Sequence, residues 1–109
     1  ARTLSAPWLA VAIASAVVLA PLTEELFFRG ILQTSLRGPL GGPWPAILAA
    51  GAIFAGIHMG LWHHMPALFV LGVALGWAYE RTGRLVAPIV MHAAFNALSF
   101  AEMLLLRGR

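Results

Sequence analysis

The eleven formal charges of this 109-residue chain are bunched so tightly that residues 3–23, 38–79 and 85–101 hold no Asp, Glu, Lys or Arg. These gaps run 21, 42 and 17 residues, and about 20 apolar residues in helical form cross the hydrocarbon core of a bilayer. A chain in lipid has no water to satisfy its backbone, so long apolar runs of this kind take the helix. Charged residues make up 10% and hydrophobic ones 61%, with a mean hydropathy of +0.86, whereas soluble domains carry about 25% charge. The sequence therefore predicts an all-α, polytopic transmembrane helix bundle of about four membrane segments, with one kinked or split helix carrying a pair of glutamates. The length suits a single membrane-embedded domain over 1–109. A chain that opens Ala-Arg without Met is expected either to be part of a longer protein or to have lost its initiator.

Several classes of function are excluded. Without cysteine there is no disulfide framework, thiolate metal site or Cys nucleophile. The net charge of +3 comes from arginines scattered along the chain, and with no basic run nucleic acid is not a partner. The first apolar stretch is too long for the h-region of a cleaved signal peptide, and more apolar segments follow it.

Residues 3–22 are apolar all round, and Pro21 predicts a break or kink. Thr23 is placed to cap a second helical stretch, TEELFFRGILQTSLR, and the segment GPLGGPWP (38–45) reads as a loop. Residues 46–58 are rich in small side chains, and 61–79 carry Gly72 and Gly76 as a GxxxG pair that lets helices approach closely in lipid. Residues 80–84 (ERTGR) read as a solvated charged turn and 86–105 as a last span. Trp8, Trp44, Trp62 and Trp77 fall near span ends as interfacial anchors, with His63 and His64 in the same zone. Arg2, Arg107 and Arg109 on one side balance Arg37, Arg81 and Arg84 on the other, so the positive-inside rule leaves orientation open.

Ionisable groups at membrane depth are costly and mark candidate functional sites. They are Glu24, Glu25, Arg29, His58 and His92, with the polar Asn96. Positions 25, 29, 33 and 37 read Glu, Arg, Gln, Arg, a stripe in which Glu25 precedes its cation by four residues, the favourable order. Glu24 points about 100° away round the helix and has Phe27 and Phe28 at the neighbouring positions. It is thus left for a partner on another helix and is the better candidate base. His58 and His92 could orient water, donate to an oxyanion or bind metal, and Asn96, one turn after His92, could donate as well. Glu24, His58 and His92 have the makings of a two-His, one-carboxylate zinc site, although no HExxH-type pair holds two ligands on one helix. The same residues could instead bond helices together, or relay protons, though no polar ladder runs the length of one span. Glu102, near the end of the last span, is assigned no role.

Three short motifs in order resemble one family. Glu24-Glu25-Leu-Phe-Phe-Arg29 is similar to an EExxxR motif, Phe54-Ala-Gly-Ile-His58 to FxxxH, and His92-Ala-Ala-Phe-Asn96 to HxxxN, the signature of the CAAX protease and bacteriocin-processing (CPBP or Abi) intramembrane proteases. Thr82-Gly83-Arg84-Leu85 resembles the TGSL-type stretch before the third motif, with Arg84 where Ser is common. Residues 20–97 carry the likeness. It implies an intramembrane endopeptidase of the type II CAAX prenyl endopeptidase kind, in which Glu24 activates water that His58 helps to hold. By the same resemblance His92 and Asn96 stabilise the oxyanion, and Glu25 and Arg29 support the site. The family is often labelled metalloprotease and a metal-free glutamate mechanism is also argued for it, so the cofactor is either none or a divalent metal such as Zn. The implied partners are membrane lipid and a membrane-embedded or lipidated peptide, in a prokaryotic cell membrane. A non-catalytic immunity or binding protein is the alternative; oligomeric state is left open.

Overall fold

The computed structural model describes residues 5–58 and 63–107, and all regular structure among them is helical. Helix α1 runs without interruption over Ala6–Leu36. It continues through Pro21 and Thr23, where sequence reasoning expects a break or kink and a cap. The irregularity takes another form, two π-helical stretches at Ser15–Leu19 and Leu26–Gln33. Such wide turns leave a helix continuous while altering its hydrogen-bond register. Thr23 sits inside the helix, its Oγ1 donating back to the carbonyls of Leu19 at 2.9 Å and Ala20 at 3.1 Å.

A glycine turn closes α1. The Gly42 amide donates to Arg37 O at 2.8 Å, and Gly41 and Gly42 hold φ of +84° and +146°, angles open to glycine and strained for other residues. Helix α2 follows over Pro43–Gly56. The expected loop is therefore shorter than 38–45, because the prolines of PWP enter the first turn of α2, where a missing N–H costs nothing. Helix α3 spans Met65–Thr82 and ends on Gly83 in the left-handed conformation at φ 68°, whose amide donates to Tyr79 O at 2.8 Å. Helix α4 spans Val86–Arg107. Trp62, Arg2 and Arg109 lie outside the described residues, as does the side chain of Arg107.

Side-chain bonds give the helices their directions. Arg29, Gln33 and Arg37 of α1 meet Gly72, Gly76 and Glu80 of α3, always 43 residues apart, so α1 and α3 run in the same sense. Between α1 and α4 the order reverses, Glu25 meeting His92 while Ala16 meets Asn96. Where α2 crosses α3, a Cβ on Gly72 would lie 3.1 Å from Gly51 Cα, so glycine is what lets these two backbones approach. Phe28, Phe54, Ala55 and Leu68 form the buried apolar cluster, with Leu32, Phe69 and Leu71 against it.

Polarity is distributed inside out. Glu25, Arg29, Gln33 and His92 are buried, while Trp8, Ile31, Val70, Val90 and Leu98 are exposed by 60% or more. A water-soluble domain hides such residues and exposes charge; a chain surrounded by lipid gains from the reverse. Helices Ala6–Leu36 and Val86–Leu106 are each long and apolar enough to cross a membrane.

Candidate active site

Three elements build one polar cluster. From α1, Glu25 and Arg29 form an ion pair with no exposure on either side chain, Arg29 Nη1 lying 2.9 Å from Glu25 Oε1 and 3.0 Å from Oε2. From α3, the carbonyl of Gly72 accepts from Arg29 Nη2. From α4, His92 Nδ1 lies 2.8 Å from Glu25 Oε2 and its Nε2 lies 3.3 Å from Glu24 Oε2. The carboxylate paired to Arg29 can only accept, so His92 Nδ1 carries a proton and donates it to Glu25, which fixes the ring. Nε2 is left facing Glu24. The partner that sequence reasoning seeks for Glu24 on another helix is thus His92.

Exposure separates the members of this cluster. The side chain of Glu24 is 32% exposed, against 4% for His92 and none for Glu25 and Arg29. Glu24 is the one carboxylate of the cluster that an outside molecule can reach, and the close ion pair to Arg29 belongs to Glu25 instead.

His58 is placed differently. Two residues past the end of α2, its backbone amide turns to Ala55 O at 3.1 Å, which leaves Phe54 O without the amide four residues on. His58 Nδ1 supplies the missing donor at 2.6 Å. A carbonyl cannot donate, so this bond fixes the Nδ1–H form and leaves Nε2 as an acceptor. The ring of Phe54 stands in common contact with the rest: its centroid lies 5.0 Å from that of His58, 5.7 Å from that of His92 and 5.4 Å from the Arg29 guanidinium carbon. Asn96, one turn beyond His92, donates from Nδ2 to Ala16 O at 2.9 Å.

Among the described residues no three His, Asp or Glu side chains stand together as a metal-holding group. Nδ1 of His92 is held by Glu25 and Nδ1 of His58 by the carbonyl of Phe54, and Nε2 of His92 faces Glu24.

Sequence reasoning places Glu80 in a solvated turn, and the structure moves it. It lies on α3 with its side chain 16% exposed, accepting from Arg37 at 3.1 Å and from Gln33 Nε2 at 3.1 Å, while Gln33 also donates to Gly76 O at 3.1 Å. The signal was available: Gly72, Gly76 and Glu80 repeat the four-residue spacing of Arg29, Gln33 and Arg37. Gly72 and Gly76 thus present acceptor carbonyls besides allowing close packing. A groove of about 820 Å3 between α3 and α4, with Leu68, Phe95 and Met103 in its wall, is lined by none of the six candidate residues.

The family model for type II CAAX prenyl endopeptidase Rce1-like proteins matches residues 6–98. The chain belongs to the Rce1-like family. Similar proteins include the uncharacterized protein YpbD of Bacillus subtilis (strain 168), 33% identical over 84 residues, covering 74% of this chain and 40% of YpbD. CAAX prenyl protease 2 of Rattus norvegicus is 32% identical over 84 residues, covering 76% of this chain and 26% of the relative. CAAX prenyl protease 2 of Homo sapiens is 30% identical over 105 residues, covering 76% and 31%. This Rce1-like chain therefore spans well under half the length of these relatives. No solved structure matches it. All three motifs lie within the matched range, so the Rce1-like match and the buried cluster concern the same residues.

Proposed function

We propose that this protein is a multi-pass intramembrane endopeptidase in which Glu24 is the base that activates water. The observation that carries the reading is the division of labour between adjacent glutamates: Glu25 is buried and held by Arg29 and His92, while Glu24 is accessible and faces His92 Nε2. A water at Glu24 gives up a proton to the carboxylate as its oxygen attacks the scissile carbonyl carbon. The proton taken from water stays on Glu24, and the charge that develops on the carbonyl oxygen calls for donors, which His92 supplies when Nε2 as well as Nδ1 carries a proton. Breaking the C–N bond then requires a proton on the departing amine, and Glu24 returns the one it took from water. His58 Nε2, an acceptor, is suited to hold the water through its hydrogen. Glu25 and Arg29 fix His92 and keep the buried charges balanced. A free N–H of the Asn96 amide, which has two, is a further donor for the oxyanion.

The apolar exterior supports a membrane-associated substrate, and the name carried by two relatives makes a prenylated CAAX-type peptide the one to try first. The non-catalytic alternative finds its support in Arg29 and Gln33, which bond α1 to α3. The test is cleavage of a fluorogenic prenylated CAAX peptide by the purified full-length protein beside Glu24→Gln, with and without a strong chelator. Cleavage is expected to vanish in Glu24→Gln, with the thermal transition in detergent retained, and to survive chelation. Cleavage that persists in Glu24→Gln removes Glu24 as base.

A further inference from the structure

Pro21 leaves a gap in the hydrogen-bonding of α1 that another helix closes. In the π-helical stretch Ser15–Leu19 the Ala20 amide donates to Ser15 O, so the register runs five residues back. The next carbonyl, that of Ala16, would receive residue 21, which is proline and has no N–H. The amide four residues on from Ala16 belongs to Ala20 and is already given to Ser15. Ala16 O is therefore left without a helical partner at a depth where an unsatisfied carbonyl is expensive. Asn96 of α4 donates to that oxygen at 2.9 Å. The neighbouring carbonyls of Leu19 and Ala20 receive the hydroxyl of Thr23, so the bond that crosses to α4 is the one at Ala16.

We propose that Asn96 is a positioning residue: its amide replaces the N–H missing at Pro21, and the resulting tie sets the height at which His92, one turn earlier on α4, enters between Glu24 and Glu25. The two bonds form a clamp. Asn96 to Ala16 and His92 to the glutamate pair fix α4 against α1 at two levels, and Pro21, fully buried between them in sequence, creates the acceptor for the first. A helix without the proline would have no vacant carbonyl there, and α4 would lose its anchor point. The inference rests on the proposed reading of Glu24 and His92 only for its catalytic consequence; the clamp itself is a statement about hydrogen bonds.

The test is a double-substitution cycle in the full-length protein, comparing Asn96→Leu, Pro21→Ala and the pair by SDS titration in mixed micelles. It is combined with the 15N resonances of the His92 ring in histidine-labelled protein. In the Pro21 background Asn96→Leu is expected to lower the folded-to-unfolded ratio about tenfold, near the upper end for a hydrogen bond between membrane helices. With an N–H restored at position 21 the same substitution is expected to cost less than about threefold. Asn96→Leu alone is expected to move the His92 ring nitrogens toward the shifts of free imidazole, with those of His58 unchanged. Equal losses in both backgrounds, or a His92 spectrum untouched by Asn96→Leu, overturns the proposal. If the pair does not fold, the spectrum of Asn96→Leu decides alone. Neither readout needs turnover, so failure of the peptidase reading appears separately, as a wild-type protein that cleaves nothing.

Discussion

Glu25→Gln is the most informative single perturbation of stability, because it removes one charge from a pair with no contact to the outside. The guanidinium of Arg29 has Nη1 at 2.9 and 3.0 Å from the two oxygens of Glu25, Nη2 on Gly72 O and the Phe54 ring 5.4 Å from its central carbon. Glutamine keeps the volume and some hydrogen bonding, yet leaves the cation uncompensated. Breaking a buried pair by removing one partner costs about 3–5 kcal/mol, or roughly a hundred- to several-thousandfold in the folding equilibrium. A neutral cross-helix hydrogen bond in a membrane protein is worth about 0.6 kcal/mol on average, so the two descriptions of Glu25 differ by several-fold. Adding Arg29→Met removes the stranded charge and is expected to restore most of the loss. The deficit that remains, about 1–3 kcal/mol, is that of Gly72 O losing its donor and of His92 Nδ1 keeping only a neutral acceptor. SDS titration in mixed micelles, followed by tryptophan fluorescence, measures each variant. A Glu25→Gln cost below about 1 kcal/mol, or a double variant no more stable than the single, refutes the account of a buried charge pair.

Two further outcomes follow from the α1–α3 contact. Gly76→Ala places a Cβ 2.5 Å from Gln33 Oε1 and 3.1 Å from Ile47 Cγ2; overpacking of this kind costs about 1–3 kcal/mol, and the same titration reads it, with no loss contradicting the close approach. Glu80→Gln keeps the acceptor for Gln33 but gives up the ion to the part-exposed Arg37. A loss of about 0.2–1 kcal/mol that fades at high salt is expected, and a salt-independent loss counts against an ionic contribution.

The stripe of Glu25, Arg29, Gln33 and Arg37 was legible because a repeat of four residues on a helix needs no tertiary knowledge to be seen. The pairing of Glu25 with Arg29 followed from it, as did the freedom of Glu24. The all-helical architecture was legible for a similar reason, since long gaps between charges leave an apolar chain few choices. What the stripe faces was not legible: Gly72 and Gly76 act through backbone carbonyls, which every residue has, and Glu80 looked solvated because it stands beside Arg81 and Arg84. A kinked but continuous α1 was one of the two readings the sequence allowed, and what carries the helix past Pro21 was not legible. The missing proline N–H is met here by a π-helical register and by an asparagine 75 residues away in sequence, and the second of these lies beyond local reasoning. His58 was legible as an ionisable group in an apolar span, but its use as the closing donor of α2 depends on a carbonyl that only the structure shows to lack its amide.

The constant separation of 43 residues between α1 and α3 partners makes the two helices a pair of matched rulers, and matched rulers can be read one division out. Sliding α3 by one turn in one direction would bring Arg37 up to Arg84, cation against cation. Sliding it the other way would set Arg29 against Leu68, whose side chain would stand where Gly72 has none. Each rung therefore carries different chemistry, a guanidinium, an amide and an ion pair in that order, and the order admits one alignment. In lipid, where apolar surfaces exert little preference for one sliding position over another, a sequence of unlike polar rungs tells these helices where to stop.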